Sequence, residues 1–181
     1  MAETTTRASF AIRTCPDLGK LSLRADGETA EIAGGALGLR LPEAINRASG
    51  DTTIRAMRLG PDEILLLMPR AAVAATLATL DQALADRHHA LVDLSARLVA
   101  IEIEGKSVRD TLAAACPLDL HPTVFGPDQA TRTVLGKLEI ILDCLAEDHF
   151  RLLANRSYAP YCHRLLAEAG REHGLAAATP G

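Results

Sequence analysis

The segment LGPDEILLLMP, residues 59–69, decides the fold that we predict for this chain. Gly60-Pro61-Asp62 has the residues of a tight turn, and the unbroken apolar run Ile64–Met68 is typical of a buried strand. Beyond Pro69, an amphipathic helix is predicted by apolar residues at helical spacing: Val73, Leu77, Leu80 and Leu84. A turn, a buried strand and a helix therefore follow one another directly.

The same order recurs near the end of the chain, where AEDHFRLLANR, residues 146–156, precedes a helix that we predict to start near Ser157. Upstream of the first copy, apolar and polar residues alternate over 20–32, and Asp26-Gly27 lies in the middle as a turn, so a hairpin is predicted. The remaining elements of this half are a glycine-rich break at Gly34, Gly35 and Gly38, a short helix over Leu41–Ala48 that opens on Pro42, and a strand around Thr53–Leu59.

Upstream of the second copy, alternation over Val99–Ile103 predicts a half-buried strand. Ser107 and Asp110 have the spacing of a capping box, which predicts a helix over 107–115. Further strands are predicted over Arg132–Lys137, Leu138–Cys144 and Phe150–Ala154.

The two similar series of elements predict an α+β fold of pseudo-duplicated βαββα units, with antiparallel sheets and helices packed on one face. We expect a loosely ordered N-terminal tail over 1–14 and a single globular unit over 15–174. That unit divides into similar halves, about 15–88 and 89–174, and a flexible tail over 175–181 follows.

The composition excludes several classes of partner. The formal net charge is −4, the basic residues are scattered, and aromatic residues make up only 3% of the chain, so we expect no nucleic acid and no membrane as partner. Four widely spaced cysteines without a CxxC pair, and a start that lacks a basic and an apolar region, favour a cytoplasmic protein with reduced thiols.

The block CPLDLHPTVF, residues 116–125, places Cys116, Asp119 and His121 close together in sequence. A Cys–His nucleophile needs the imidazole within reach of the sulfur and a third group that orients it. Pro117 and Pro122 bound the segment, and nothing nearby supplies the orienting group, so a helix end followed by a turn is the favoured interpretation.

Other candidate sites also have a simpler structural interpretation. The glycines at 34, 35 and 38 lack the spacing of a dinucleotide-binding loop. Adjacent histidines, His88 and His89, would point to opposite faces of a strand. A metal site remains open only if the fold brings together residues that are distant in sequence: His121, His149 and His163 with Cys116 or Cys162.

Two carboxylate pairs are also candidates, because paired carboxylates can divide acid and base roles: Asp93 with Glu102, and Glu139 with Asp143. Solvated strand faces are the favoured interpretation of both pairs. Cys144 and Cys162 occupy apolar positions and are interpreted as core residues. We therefore predict no catalytic, cofactor-binding or metal-binding residues in this chain.

The helix predicted over Ala71–Ala85 carries no charge before Asp81, which leaves a wide non-polar surface. Either both sides of this helix are buried within the protein, or one side meets a partner.

Several segments resemble gamma subunits of heterotetrameric sarcosine oxidase. They are VDLSARLVAIEIEGKSVRDTLAAACPLDLHP (92–122), TRTVLGKLEIILD (131–143), RLLANRSYAPYCHRLL (151–166) and LGPDEILLLMP. The resemblance runs roughly from Leu18 to Leu166. The strand–glycine–helix pattern over 101–112 is similar to that of aminomethyltransferases and other folate-binding relatives, which implies their fold. Glu104-Gly105-Lys106 departs from the Gly-Pro turn common in those relatives, and no functional residue is transferred.

The resemblance implies a bacterial enzyme complex that oxidatively demethylates sarcosine to glycine, releases hydrogen peroxide and passes a one-carbon unit to tetrahydrofolate. It implies FAD and FMN chemistry in the beta subunit, NAD and folate in the alpha subunit, and zinc in the delta subunit. The gamma subunit itself is expected to be structural and to contact alpha. Two alternatives stay open: a stand-alone folate-binding protein, and the equivalent subunit of a related complex such as N-methylglutamate dehydrogenase.

Overall fold

A computed structural model describes residues 10–173. These residues form two five-stranded antiparallel sheets, and each sheet has two helices on its outer face. The first sheet has the order β3-β4-β5-β2-β6. Its strands are β2 (Leu18–Ala25), β3 (Arg47–Gly50), β4 (Arg55–Arg58), β5 (Glu63–Pro69) and β6 (His89–Asp93), and its helices are α1 (Gly27–Leu37) and α2 (Val73–Ala83).

The second sheet has the order β1-β7-β10-β9-β8. Its strands are β1 (Ala11–Thr14), β7 (Leu98–Glu104), β8 (Ala130–Leu135), β9 (Leu138–Ala146) and β10 (His149–Asn155), and its helices are α3 (Val108–Ala113) and α4 (Ala159–Ala169). Short 3₁₀ turns over Arg70–Ala72 and Arg156–Tyr158 lead into α2 and α4, and a third covers Arg171–His173. The predicted α+β duplication is confirmed.

Alternation along the strands builds three apolar layers. Leu21, Leu23 and Leu66 face α1 and α2, whereas Ile101, Leu142 and others face α3 and α4. The opposite strand faces pack against each other through a third cluster that includes Leu65, Leu67, Ala100, Ile141 and Leu153. The result is a helix–sheet–sheet–helix sandwich in which both faces of each sheet are covered.

The predicted hairpin over 20–32 is wrong. Strand β2 ends at Ala25, and the Asp26 carboxylate accepts a 2.8 Å hydrogen bond from the Thr29 backbone N–H, which starts α1 at Gly27. Gly34 lies inside α1, where a Cβ would stand 2.6 Å from the Leu39 carbonyl oxygen. Gly38 ends the helix in the left-handed conformation with φ 64°. The glycines therefore belong to one helix and its end.

The short helix predicted over Leu41–Ala48 is also wrong. Asn46 adopts a φ of 64°, which a helix excludes, and β3 then begins at Arg47. Pro42 instead lies in a loop where the buried Arg58 guanidinium donates to its carbonyl oxygen. The capping box at Ser107 does not form, since the Ser107 side chain makes no capping hydrogen bond to α3. The helix itself is present over Val108–Ala113.

Strand pairing moves the predicted boundaries. Residues 11–14, expected to be tail, form β1 and pair with β7 of the second half. Strand β6, assigned to the second half by a division at residue 88, pairs with β2 of the first half. Each half thus receives its fifth strand from a segment next to the other half in sequence. The expected tail residues 1–9 and 175–181 lie outside the described residues.

Candidate functional site

The space between the two sheets holds the chemistry-bearing side chains, and the duplication allows its two ends to be compared. Strands β5 and β10 are the central strands of their sheets, and each leads through a 3₁₀ turn into a helix, α2 or α4. Aligning the two strands at that turn makes Leu65 on β5 the equivalent of Arg151 on β10. Pairing across each sheet then gives two equivalent rows. The uncharged row is Ala48, Met57, Leu65, Ser22 and Val92, and the charged row is Ala130, Asp143, Arg151, Glu102 and Arg13.

The charged row forms a continuous chain of ion pairs. Arg13 and Arg151 both donate to the Glu102 carboxylate, the second through Nη2 at 2.8 Å. A second Arg151 nitrogen lies 3.7 Å from Asp143. His149 Nε2 stands 3.3 Å from Glu102 Oε2. Alternating charges on neighbouring strands therefore neutralise one another beneath the first sheet.

Arg55 of β4 connects the first sheet to this row. Its Nε and Nη2 each donate to Asp143 at 2.8 Å, and Nη1 donates to Asp128 at 3.0 Å. The Asp143 side chain is fully buried and that of Arg55 is 8% exposed. This fork-shaped contact of a guanidinium with a carboxylate is geometrically specific and fixes the position of one sheet on the other.

Burial and ion pairing act against each other on the pKa values of the charged row and of Arg55. Burial opposes the charge of Glu102, but the hydrogen bond and charge of Arg151, with Arg13 and His149, lower the pKa of that carboxyl below its usual value. Burial likewise opposes the charge of Arg55, yet Asp143 and Asp128 raise the pKa of its guanidinium. Burial raises the pKa of the Asp143 carboxyl, against the hydrogen bonds and charge of Arg55. The charged groups of the row are paired with one another, so the row acts as a structural connection.

The opposite end of the inter-sheet space is an open cleft with a cavity volume of about 700 Å³. Three members of the uncharged row, Ser22, Leu65 and Val92, line it. The side of the second sheet contributes apolar residues such as Ile141 and Leu153. The polar lining includes Arg24, Arg97, Arg132, Glu63 and Asn155. This open end distinguishes the first half from the second, whose equivalent positions hold the charged row.

Glu63 organises the charges of the cleft. It receives the guanidinium groups of Arg24, at 3.1 Å, and of Arg132 from the other sheet. Arg97 donates to the neutral Asn155 amide oxygen at 3.3 Å. Within residues 10–173, no carboxylate lies within 4.0 Å of the Arg97 guanidinium.

The residues of the CPLDLHPTVF block have separate partners. Cys116 is buried, and its sulfur lies 3.6 Å from the Thr133 hydroxyl. The His121 ring contacts Thr123 at 2.8 Å, and the Asp119 carboxylate accepts from the His121 backbone N–H. These contacts are those of a local turn. His149 and His163 have different partners, Glu102 and Thr14. No metal-binding group of three or more suitable residues occurs within the described part of the chain.

The interpretation of the paired carboxylates as solvated is wrong for Glu102 and Asp143, because the first sheet covers the face of the second on which both lie. Asp93 is exposed and accepts from the Ser95 backbone N–H, and Glu139 is exposed at the cleft. Cys144 and Cys162 are fully buried, and burial raises the pKa of both thiols, which keeps them protonated.

The non-polar surface predicted on the second helix is present as small residues. Helix α2 buries Val73, Thr76 and Leu80 against the first sheet. Its outward side exposes Ala74, Ala75 and Ala78. This side is therefore flat and carries no charge until Asp81. None of the described helices has the length and apolar character that crossing a bilayer demands.

Comparisons with known proteins agree with this architecture. A family model described as "Sarcosine oxidase, gamma subunit family" matches residues 23–172. Sarcosine oxidase subunit gamma of Corynebacterium sp. (strain U-96) is 33% identical over 178 residues, which are 97% of this chain and 86% of that protein. The corresponding subunit of Arthrobacter sp. is 29% identical over 175 residues, 95% of this chain and 85% of that protein.

Two solved structures are similar. Heterotetrameric sarcosine oxidase from Corynebacterium sp. U-96, in complex with pyrrole 2-carboxylate, contains a chain that matches with a TM-score of 0.88 and 29% identity over 96% of this chain and 90% of that one. Aminomethyltransferase T of the glycine cleavage system from Bartonella henselae matches with a TM-score of 0.68 and 15% identity, over 92% of this chain and 47% of that one.

The second match shows the fold, which is that of the aminomethyltransferase-like folate-binding proteins, as the sequence resemblance implied. The first match and the family model both cover most of the chain, and they show the family as well as the fold. The chain belongs to the sarcosine oxidase gamma subunit family.

Proposed function

We propose that this chain is the non-catalytic gamma subunit of a heterotetrameric sarcosine oxidase that works in the cytoplasm. The complex oxidatively demethylates sarcosine to glycine, with hydrogen peroxide as product and one-carbon transfer to tetrahydrofolate. The observation that carries this proposal is similarity to sarcosine oxidase gamma subunits over 97% of the chain. FAD, FMN, NAD, tetrahydrofolate and zinc belong to the partner subunits in this proposal, and alpha is the main contact, with beta and delta in the same assembly.

The use of the charged side chains supports a structural role. A general acid or base needs a titratable group that faces the substrate and exchanges its proton near neutral pH. Here Glu102 and Asp143 are buried among guanidinium groups that they neutralise. The buried thiols of Cys144 and Cys162 are protonated, so they are poor nucleophiles.

The outward side of α2 is the surface that we assign to the alpha subunit. Its alanines let another polypeptide approach closely without desolvating a charge, and obligate interfaces are apolar at their centre. An obligate contact of this kind buries on the order of 2,000 Å² or more, so it extends beyond the helix onto its neighbours.

Co-expression tests the proposal. The tagged chain is produced together with candidate flavin-binding and zinc-binding subunits from the same bacterium, and the eluate is examined for flavin absorbance. We expect a flavin-containing assembly that oxidises sarcosine faster than N-methylglutamate. A chain that stays a monomer and never co-purifies with flavin would contradict it, whereas an assembly that prefers N-methylglutamate would identify the related complex.

Ala75→Glu and Ala78→Glu on the outward side of α2 should weaken the assembly. Ala96→Glu, at an exposed position away from α2, is the matched control and should assemble normally.

A further inference from the structure

The cleft exists because the two halves of the sandwich fill equivalent positions differently. In the second half, the buried Glu102 side chain lies below β7, and Arg13 of the edge strand β1, with its side chain 67% exposed, pairs with it. Their equivalents in the first half are Ser22 and Val92. Ile141 is the equivalent of Arg55, and Met57 is the equivalent of Asp143, so the first-half end has no such ion pair. Long charged side chains close one end, and short or apolar side chains leave the other open.

The size and lining of the open end fit a small ligand. Its volume of about 700 Å³ is within the range of roughly 300–1,000 Å³ that is usual for ligand pockets. Leu65, Ile141 and Leu153 give it an apolar floor that comes from both sheets. The apolar part of a ligand can pack on this floor. The polar groups around the floor then determine which polar or charged group the ligand must have at its end.

Those polar groups favour an anion. The lining contains three arginines, Arg24, Arg97 and Arg132, against two glutamates, Glu63 and Glu139. Glu63 pairs with the guanidinium groups of Arg24 and Arg132, so its negative charge is already neutralised. Arg97 has a neutral amide as its side-chain partner and is exposed, which leaves its other N–H groups available to a carboxylate.

We propose that the cleft between the sheets binds a small amphipathic carboxylate. The apolar body of the ligand lies on Leu65, Ile141 and Leu153, and its carboxylate accepts from Arg97 at the opening of the cleft. The binding is non-covalent and involves no group on the charged row. The proposal does not depend on the assignment to sarcosine oxidase, since it follows from the internal comparison of the two halves.

Fluorescence titration of the purified full-length chain tests the proposal. The probe is 8-anilinonaphthalene-1-sulfonate, which combines an aromatic body with an anionic group. Decanoate and decanol are used as competitors of equal chain length, one charged and one neutral. We expect saturable probe binding, and displacement by decanoate at a concentration about tenfold lower than by decanol, because one charge-assisted contact contributes about that factor.

Two variants locate the site. Ser22→Glu with Val92→Arg copies the Glu102–Arg13 pair into the first half, and it should close the cleft and weaken probe binding at least about tenfold. The control is Val124→Arg, since Val124 is as exposed as Val92, at 50%, and does not line the cleft. Arg97→Gln should abolish the preference for decanoate over decanol while the affinity for decanol stays the same.

Three results would overturn the proposal: no saturable binding, equal binding by the closed variant and the native chain, or an unchanged preference for decanoate in Arg97→Gln. The last variant alters a single exposed side chain, so it gives a result even if the double variant does not fold.

Discussion

Removal of the Asp143 carboxylate is the most informative perturbation of the fold. In Asp143→Leu, the Arg55 guanidinium loses three contacts of 2.8–3.1 Å inside the sandwich, and Arg151 loses its second carboxylate. Removing one partner of a buried ion pair costs about 3–5 kcal/mol, since the other charge stays buried. We expect about 3 kcal/mol, the lower end, because Arg55 keeps Asp128 and the Cys144 carbonyl oxygen.

The internal duplication supplies the matched control. Arg55→Ile with Asp143→Met introduces the residue types of the equivalent positions, Ile141 and Met57, which also lie on opposite sheets. The free energy of unfolding, from urea denaturation followed by circular dichroism, should fall by no more than about 1 kcal/mol, since apolar replacement of a buried pair is often neutral. If each single variant, Arg55→Ile and Asp143→Met, loses about 3 kcal/mol, the coupling energy between the two positions is about 5 kcal/mol. Losses below about 1 kcal/mol in both single variants, or strict additivity, would refute the reasoning.

Three smaller perturbations test other parts of the account. Asp26→Ala removes the hydrogen bond that starts α1 and should lower the free energy of unfolding by about 1 kcal/mol, whereas Glu28→Ala in the same turn should change it much less. Gly50→Ala forces a Cβ to within 2.1 Å of the Ile54 carbonyl oxygen at a φ of 91° and should lower the free energy of unfolding by about 3 kcal/mol. Gly35→Ala, in open space within a helix, should raise it by about 0.5 kcal/mol. Thermal unfolding of both variants checks these values. The lowered pKa of Glu102 means that its contribution is complete above the ordinary glutamate range and is lost as the pH falls through the folded-state pKa. Urea titrations across that pH range should show this loss, and it should be smaller in Glu102→Gln; identical pH profiles would contradict the role of the ion pairs.

The elements predicted well from the sequence are those in which one local signal dominates. The turn at Gly60-Pro61-Asp62, the apolar run of β5 and the spacing of α2 agree with each other, and the structure follows them. The predicted hairpin over 20–32 failed because Asp26-Gly27 is equally suited to a turn and to a helix start. Only the Thr29 backbone bond distinguishes the two.

The inter-sheet chemistry was beyond sequence reasoning because it depends on which strands lie opposite one another. Glu102 and Asp143 alternate with apolar residues as solvated residues would, and it is the other sheet that buries them. Arg55 sits 88 positions from Asp143, so no local pattern indicates their contact. The exchange of β1 and β6 between the halves is hidden for the same reason. A repeated strand-to-helix segment, as in 59–69 and 146–156, was the one signal from which the comparison of equivalent positions could start.

Native mass spectrometry of the purified complex tests the central claim most directly. The complex is measured intact and after gentle dissociation into its subunits, and each subunit is examined for bound flavin, nucleotide, folate and zinc. We predict one copy of this chain per complex, with every cofactor mass on the other subunits and no sarcosine oxidation by the separated chain. A cofactor that leaves with this chain, or turnover of sarcosine by the chain alone, would contradict the account.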